Sequence, residues 1–84
     1  MNLNWTNSSW NDYIYWQDTD KKMVSKINSL IKEIKRTPFE GTGKPEPLKY
    51  ELAGCWSRRI NHEHRLIYQV NDLGLSIISC RYHY

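Results

Sequence analysis

Trp56-Ser57-Arg58-Arg59-Ile60-Asn61-His62-Glu63-His64-Arg65-Leu66-Ile67-Tyr68-Gln69-Val70 is the stretch on which the fold turns. It reads as a β-hairpin. Trp56, Ile60, Leu66, Ile67, Tyr68 and Val70 favour strands, and Asn61-His62-Glu63 is a polar break between the two arms. If that break is the whole loop, Ile60 faces His64 and Arg59 faces Arg65 across the ladder. Like charges opposed in this way destabilise a sheet by roughly 0.2–1 kcal/mol. A sheet that accepts the cost gains two planar guanidiniums side by side, a match for a phosphate. The plainer alternative is a solvated edge with both arginines in water. A loop longer by one residue would set Arg59 against Leu66 and dissolve the pair.

Upstream, Leu3 and Trp5 alternate with Asn2, Asn4 and Thr6, as in a short first strand. Thr6-Asn7-Ser8-Ser9 offers caps for a helix that sets Trp10, Tyr13, Ile14 and Gln17 on one face. Tyr15 and Trp16 fall outside that face. Thr19 or Asp20 caps a second helix, from about Lys21 to Arg36. Its apolar stripe is Met23, Val24, Ile27, Leu30, Ile31 and Ile34, and every charged residue falls outside it. Thr37-Pro38 ends the helix. The loop from Phe39 to Lys49 follows, bent by Gly41 and Gly43 and stiffened by Pro45 and Pro47. After the hairpin, Asn71-Asp72-Leu73-Gly74 is a second turn, and Leu75 to Tyr82 reads as the last strand. The order β-α-α-β-β-β predicts an α+β fold with two helices on one face of a small, mostly antiparallel sheet. The arginines fall on the other face.

At 84 residues the chain is read as one domain, residues 1–84, that buries about 60–65% of its unfolded surface. A net charge of +3 permits an anionic partner without requiring one. Cys55 and Cys80 form no CxxC motif and no disulfide framework, so they read as reduced, packed thiols. The first residues lack the charged and apolar regions of a signal peptide, and no apolar run could span a membrane. A cytoplasmic protein is the expectation.

Glu46, Lys49, Arg59, Arg65, His83 and Tyr84 together supply what metal-free phosphodiester cleavage needs. A base takes the 2′-hydroxyl proton, cations hold the phosphate, an acid protonates the leaving oxygen, and an aromatic stacks a base. Glu46, between two prolines, stands on a rigid arm and is a candidate base, although an ordinary surface glutamate fits the same residues. His83 and Tyr84 share a site only if the chain leaves strand geometry after Tyr82. A rival set, His62-x-His64 with Cys80-x-x-His83, would suit zinc, but His62 falls in the turn.

Trp10-x-Asp12-Tyr13-x-Tyr15-Trp16, Pro38-Phe39-x-Gly41-x-Gly43-Lys44-Pro45-Glu46-Pro47-Leu48-Lys49, Trp56-Ser57-Arg58-Arg59-Ile60, His64-Arg65-Leu66-x-Tyr68 and Cys80-Arg81-Tyr82-His83-Tyr84 resemble the YoeB toxins, RelE-like partners of YefM antitoxins. The resemblance covers the whole chain. It implies a ribosome-dependent endoribonuclease that cuts mRNA in the A site, without cofactor or metal. By position, Glu46 would be the general base and His83 the general acid. Arg65, helped by Arg59, would stabilise the transition state, Tyr84 would position the nucleotide and Lys49 would hold the backbone. A YefM-like antitoxin, the ribosome and mRNA are the implied partners, and monomer and homodimer both stay open. Two rivals are a non-catalytic ParE-like binding toxin and a nonspecific RNA-binding domain. Glu46, Arg65 and His83-Tyr84 argue against the first.

Overall fold

The long amphipathic helix forms where its spacing predicts it. Helix α2 spans Lys21–Arg36 and buries Met23, Ile27, Leu30, Ile31 and Ile34, with Val24 packed at the margin. Each such side chain contributes roughly 1.5–3 kcal/mol on leaving water. Asp20 caps it by accepting from the Lys22 N–H at 3.0 Å, and Lys35 and Arg36 meet the negative end of the dipole. These facts come from a computed structural model that describes residues 1–82; His83 and Tyr84 lie outside the described residues.

Helix α1 (Asn7–Thr19) starts from Thr6, whose hydroxyl accepts from the Ser9 N–H while Ser9 Oγ accepts from the Thr6 N–H. Its inward face differs from the expected one. Trp16 is buried, and of the expected Trp10–Gln17 stripe Tyr13 packs against the core while Trp10, 46% exposed, and Gln17 do not. Ser9 and Trp16 are buried instead, because both find carbonyl acceptors inside: Ser9 Oγ donates to Ile77 O at 2.7 Å and Trp16 Nε1 to Cys80 O at 2.9 Å. Apolar periodicity is blind to a serine buried by its hydrogen bonds. Trp10 joins an aromatic group with Trp5 and Tyr13.

The sheet has five strands: β1 (Leu3–Trp5), β2 (Glu46–Pro47), β3 (Trp56–Arg59), β4 (Arg65–Asn71) and β5 (Gly74–Ser79), in the order β1-β5-β4-β3-β2. The pair β1–β5 is parallel and the other three are antiparallel. Leu66, Tyr68, Leu75 and Ile77 project from the sheet into the core formed with the helices. The α+β layering expected from the sequence is therefore the layering observed. Strand β2 is an addition: Glu46 pairs with Ser57 and Pro47 with Trp56 inside what reads as a loop. Proline can sit on an edge strand whose N–H side is unpaired, and there it hides the strand from pattern reading. A short 3₁₀ turn, Tyr50–Leu52, links β2 to β3. The last strand is shorter than expected and stops at Ser79.

Arg58 corrects the expectation that the arginines share the open face. It sits on the helix side of β3, fully buried. Its guanidinium donates to Glu33 Oε1 at 2.8 Å, Thr37 O at 2.7 Å, Glu40 O at 2.8 Å, Thr42 O at 3.2 Å and Tyr68 Oη at 3.2 Å. It thus ties the loop after α2 to the sheet. Tyr68 Oη donates in turn to Pro38 O at 2.7 Å. Glu33 also accepts the Thr42 N–H at 2.5 Å, and that bond, aided by Arg58 against a partial loss of solvent, holds its carboxyl below the usual range. Gly41, at φ +122°, passes so close that a Cβ there would lie 1.9 Å from Glu33 Oε1.

Both cysteines are free thiols, Cys55 partly exposed and Cys80 buried. Burial, with the nearby Asp12 charge, pushes the Cys80 thiol up to about 12 from 9.0. The unfolded chain releases this proton first, so the contribution is whole below pH 9.0 and is lost as pH rises toward 12. Chemical denaturation across that range is expected to show a steeper alkaline decline in the parent than in Cys80→Ala. Equal slopes would remove Cys80 as the cause. Among the described residues, no helix is long and apolar enough to cross a membrane.

Candidate active site

The hairpin register sets the site. Arg59 pairs with Arg65 and Ser57 with Ile67, so the loop is the three-residue form and the two arginines stand opposed. Asn61 organises the turn, its Oδ1 accepting from the Glu63 and His64 N–H groups at 2.9 and 2.7 Å. Ile60 N donates to His64 O at 3.0 Å and closes the loop. The guanidinium of Arg65 is anchored through Nη1, which donates to Asn61 O at 2.7 Å and His64 O at 3.1 Å. Such anchoring restrains the guanidinium beside the loop. Arg59 is exposed.

Strand alternation brings Glu46 to the same face. Glu46 pairs with Ser57, which lies two residues from Arg59 on β3, so all three project to one side. Two strand spacings across and two residues along put the Glu46 and Arg65 backbones about 12 Å apart. Long side chains approaching from those positions can converge on one phosphate. Glu46 is held by the ladder and also by Gly43, whose carbonyl accepts the Arg59 N–H at 2.7 Å. Gly43 approaches β3 so closely, at φ +89°, that a Cβ would sit 3.0 Å from Arg59 O.

Among the described residues, Glu46 and Lys49 line one hollow, of about 290 Å³, with Tyr50. Arg59 lines another, of about 370 Å³, with Lys26, Glu33 and Ile60. His83 and Tyr84 lie outside the described residues.

The segment leading to them is described, and it is held closely. After β5 the chain turns away from strand geometry at Cys80. Cys80 N donates to Asp12 Oδ2 at 3.1 Å. The Arg81 guanidinium stacks over Tyr15 at 3.5 Å and lies 4.7 Å from the Tyr82 ring centre. Tyr82 takes φ +62°, a left-handed conformation that costs a bulky residue about 1–3 kcal/mol. Two bonds offset that strain: Tyr82 N donates to His64 Nδ1 at 2.6 Å, and Arg65 N donates to Tyr82 O at 3.0 Å. The chain is thus pinned beside Arg65 at its last described residue. Sequence reasoning missed His64 in this role. Its Nδ1 accepts the Tyr82 N–H, which leaves the ring proton on Nε2 and no free lone pair there for the zinc set considered above.

Comparison with known proteins agrees with this architecture. A model of the YoeB-like toxin of bacterial type II toxin–antitoxin systems matches residues 5–84. The chain belongs to the YoeB toxin family. It is 64% identical to Toxin YoeB of Escherichia coli K12 over 84 residues, the full length of both. A YoeB/ParE toxin from Agrobacterium tumefaciens superposes with a TM-score of 0.97 at 60% identity, covering 100% of each chain. The YoeB of Staphylococcus aureus has been solved as a dimer (TM-score 0.93, 54% identity) and in complex with YefM (TM-score 0.92, 53% identity). In both, all of this chain and 98% of the other are covered. The YoeB family thus accounts for the two helices, the sheet and the strand order together.

Proposed function

We propose that this YoeB-family toxin is an endoribonuclease that cuts mRNA in the ribosomal A site and so halts translation. The observation that carries the reading is the opposed pair Arg59–Arg65, with Glu46 placed by register on the same sheet face. Glu46 takes the proton from a 2′-hydroxyl, the freed oxygen attacks the adjacent phosphorus, and the bond to the 5′-oxygen breaks. His83 gives that oxygen its proton. Arg65, with Arg59, balances the charge that grows on the phosphoryl oxygens. Tyr84 stacks the nucleotide and Lys49 holds the backbone. The products carry a 2′,3′-cyclic phosphate and a 5′-hydroxyl, and no step calls on a metal ion or cofactor. An acidic, YefM-like antitoxin segment that folds over the arginine face would inhibit it in the cytoplasm. Capture of a relative with YefM and as a dimer supports an antitoxin partner and self-association here.

Arg65→Ala tests the reading. The substituted protein is expected to stay folded and to lose about 10²–10³-fold in ribosome-dependent cleavage, the usual cost of one donor to a developing oxyanion. Primer extension on translated mRNA reads the cut and its position in the frame. Near-parent cleavage by folded Arg65→Ala would remove Arg65 from the site. A parent protein that binds ribosomes without cutting would favour a binding toxin, and a 5′-phosphate product would mean attack by water.

A further inference from the structure

We infer that His64 is a positioning residue for this site: it holds Tyr82, the residue that precedes the proposed acid in sequence, in its left-handed conformation. This rests on the ribonuclease reading above. The imidazole is 7% exposed and is not placed there by packing alone. Trp16 meets its ring edge-on at 4.8 Å, and the Tyr82 ring lies 5.5 Å away. Its Nδ1 accepts the Tyr82 N–H at 2.6 Å. An acceptor nitrogen carries no proton, so the hydrogen-bond pattern assigns the ring proton to Nε2, which faces Glu63 Oε1 at 3.3 Å.

The location is what gives the bond its consequence. His64 directly precedes Arg65, and Arg65 N donates to the carbonyl of the same Tyr82. The two bonds hold Tyr82 by its N–H and its C=O, on either side of its Cα. At φ +62° Tyr82 occupies a conformation it would leave if released. Relaxation there would swing everything after it, because a change of one backbone dihedral redirects the following chain. Arg81 stacked on Tyr15 fixes the approach to the turn but not the turn itself. His64 is thereby a link between the strand that carries Arg65 and the segment that carries the proposed acid. Its charge need not enter the chemistry.

His64→Phe keeps a ring against Trp16 and removes the acceptor. His64→Asn puts an amide oxygen near the lost Nδ1. The expected result is a roughly 10–100-fold fall in the single-turnover cleavage rate for His64→Phe, the scale of a misplaced catalytic group. Ribosome affinity is expected to stay at the parent value, and His64→Asn to recover part of the rate. The bond itself is read on the unaltered chain, as a scalar coupling between the Tyr82 amide nitrogen and His64 Nδ1. A missing coupling, or parent-rate cleavage by His64→Phe, overturns the inference. Loss of folding in His64→Phe but not in His64→Asn would make the imidazole a structural support and overturns it too. If the parent does not cut mRNA, the ribonuclease reading fails on its own, and with it the catalytic consequence of a bond the coupling has still established.

Discussion

Arg58→Met is expected to destabilise the protein by about 3–5 kcal/mol, the scale of stranding several acceptors that lose a buried donor at about 1–3 kcal/mol each. For a chain of this size that is roughly 12–40 °C in Tm. The effect is large because one guanidinium satisfies five acceptors at once, on α2, on the loop after it and on β4. Methionine fills much of the volume but donates nothing. The carbonyls of Thr37, Glu40 and Thr42 would then have to find water, which means releasing the loop that leads into β2. Arg58→Met should therefore loosen the support of Glu46 as well as the core. Thermal unfolding with hydrogen exchange over residues 37–46 checks both parts. A Tm within a few degrees of the parent would show that the loop has other anchors.

The same network has a pH signature. Glu33 titrates below its ordinary value of 4.5 when folded, chiefly through the Thr42 N–H. A lowered carboxyl contributes stability above the unfolded value and loses it as pH falls through the folded one. Acid unfolding of Arg58→Met should accordingly begin from a weaker baseline with a shallower dependence on pH below 4.5. The Thr42 bond, where it persists, would keep the larger part of the same effect.

What was legible in the sequence divides along physical lines. Helix α2 was legible because its stripe is set by solvent exclusion alone, and periodicity measures that directly. The Arg59–Arg65 opposition was legible because turn length fixes register. Three features were hidden, each for the same kind of reason. Arg58 looks identical to Arg59 in sequence, yet alternation buries one and exposes the other, and only the loop carbonyls make its burial tolerable. Ser9 is polar and buried because Ile77 O is there to receive it. Strand β2 is concealed by Pro47, since its pairing comes from β3 and not from its own propensity. In every case the deciding partner is distant along the chain. The candidate site shows the same split: Glu46, Arg59 and Arg65 gather on one face by register, while the grip of His64 on Tyr82 depends on an 18-residue separation that no local pattern reveals.

Removing His83 and Tyr84 is expected to lower ribosome-dependent cleavage by about 10²–10⁴-fold, the contribution of a general acid. The same change should leave Tm within a few degrees. Histidine's ordinary pKa, near 6.5, lets it surrender a proton at neutral pH, and Tyr84 offers a ring for a base, a contact worth roughly 1–3 kcal/mol. Stability should survive because the segment before them is fixed by its own bonds. Cys80 N reaches Asp12, Trp16 reaches Cys80 O, Arg81 stacks on Tyr15, and Tyr82 is held by His64 and Arg65. None of these uses residue 83 or 84. Truncation does create a new carboxylate at Tyr82, next to Arg65, and that charge could occupy the phosphate position by itself. His83→Gln, in the full chain, separates the two effects: it removes the proton donor and adds no charge. If the truncated protein unfolds, the last two residues are structural. If it is inactive while His83→Gln cuts at the parent rate, the new carboxylate is blocking Arg65 and His83 is not the acid. Cleavage at full rate by both would return the chemistry to Glu46 and the two arginines.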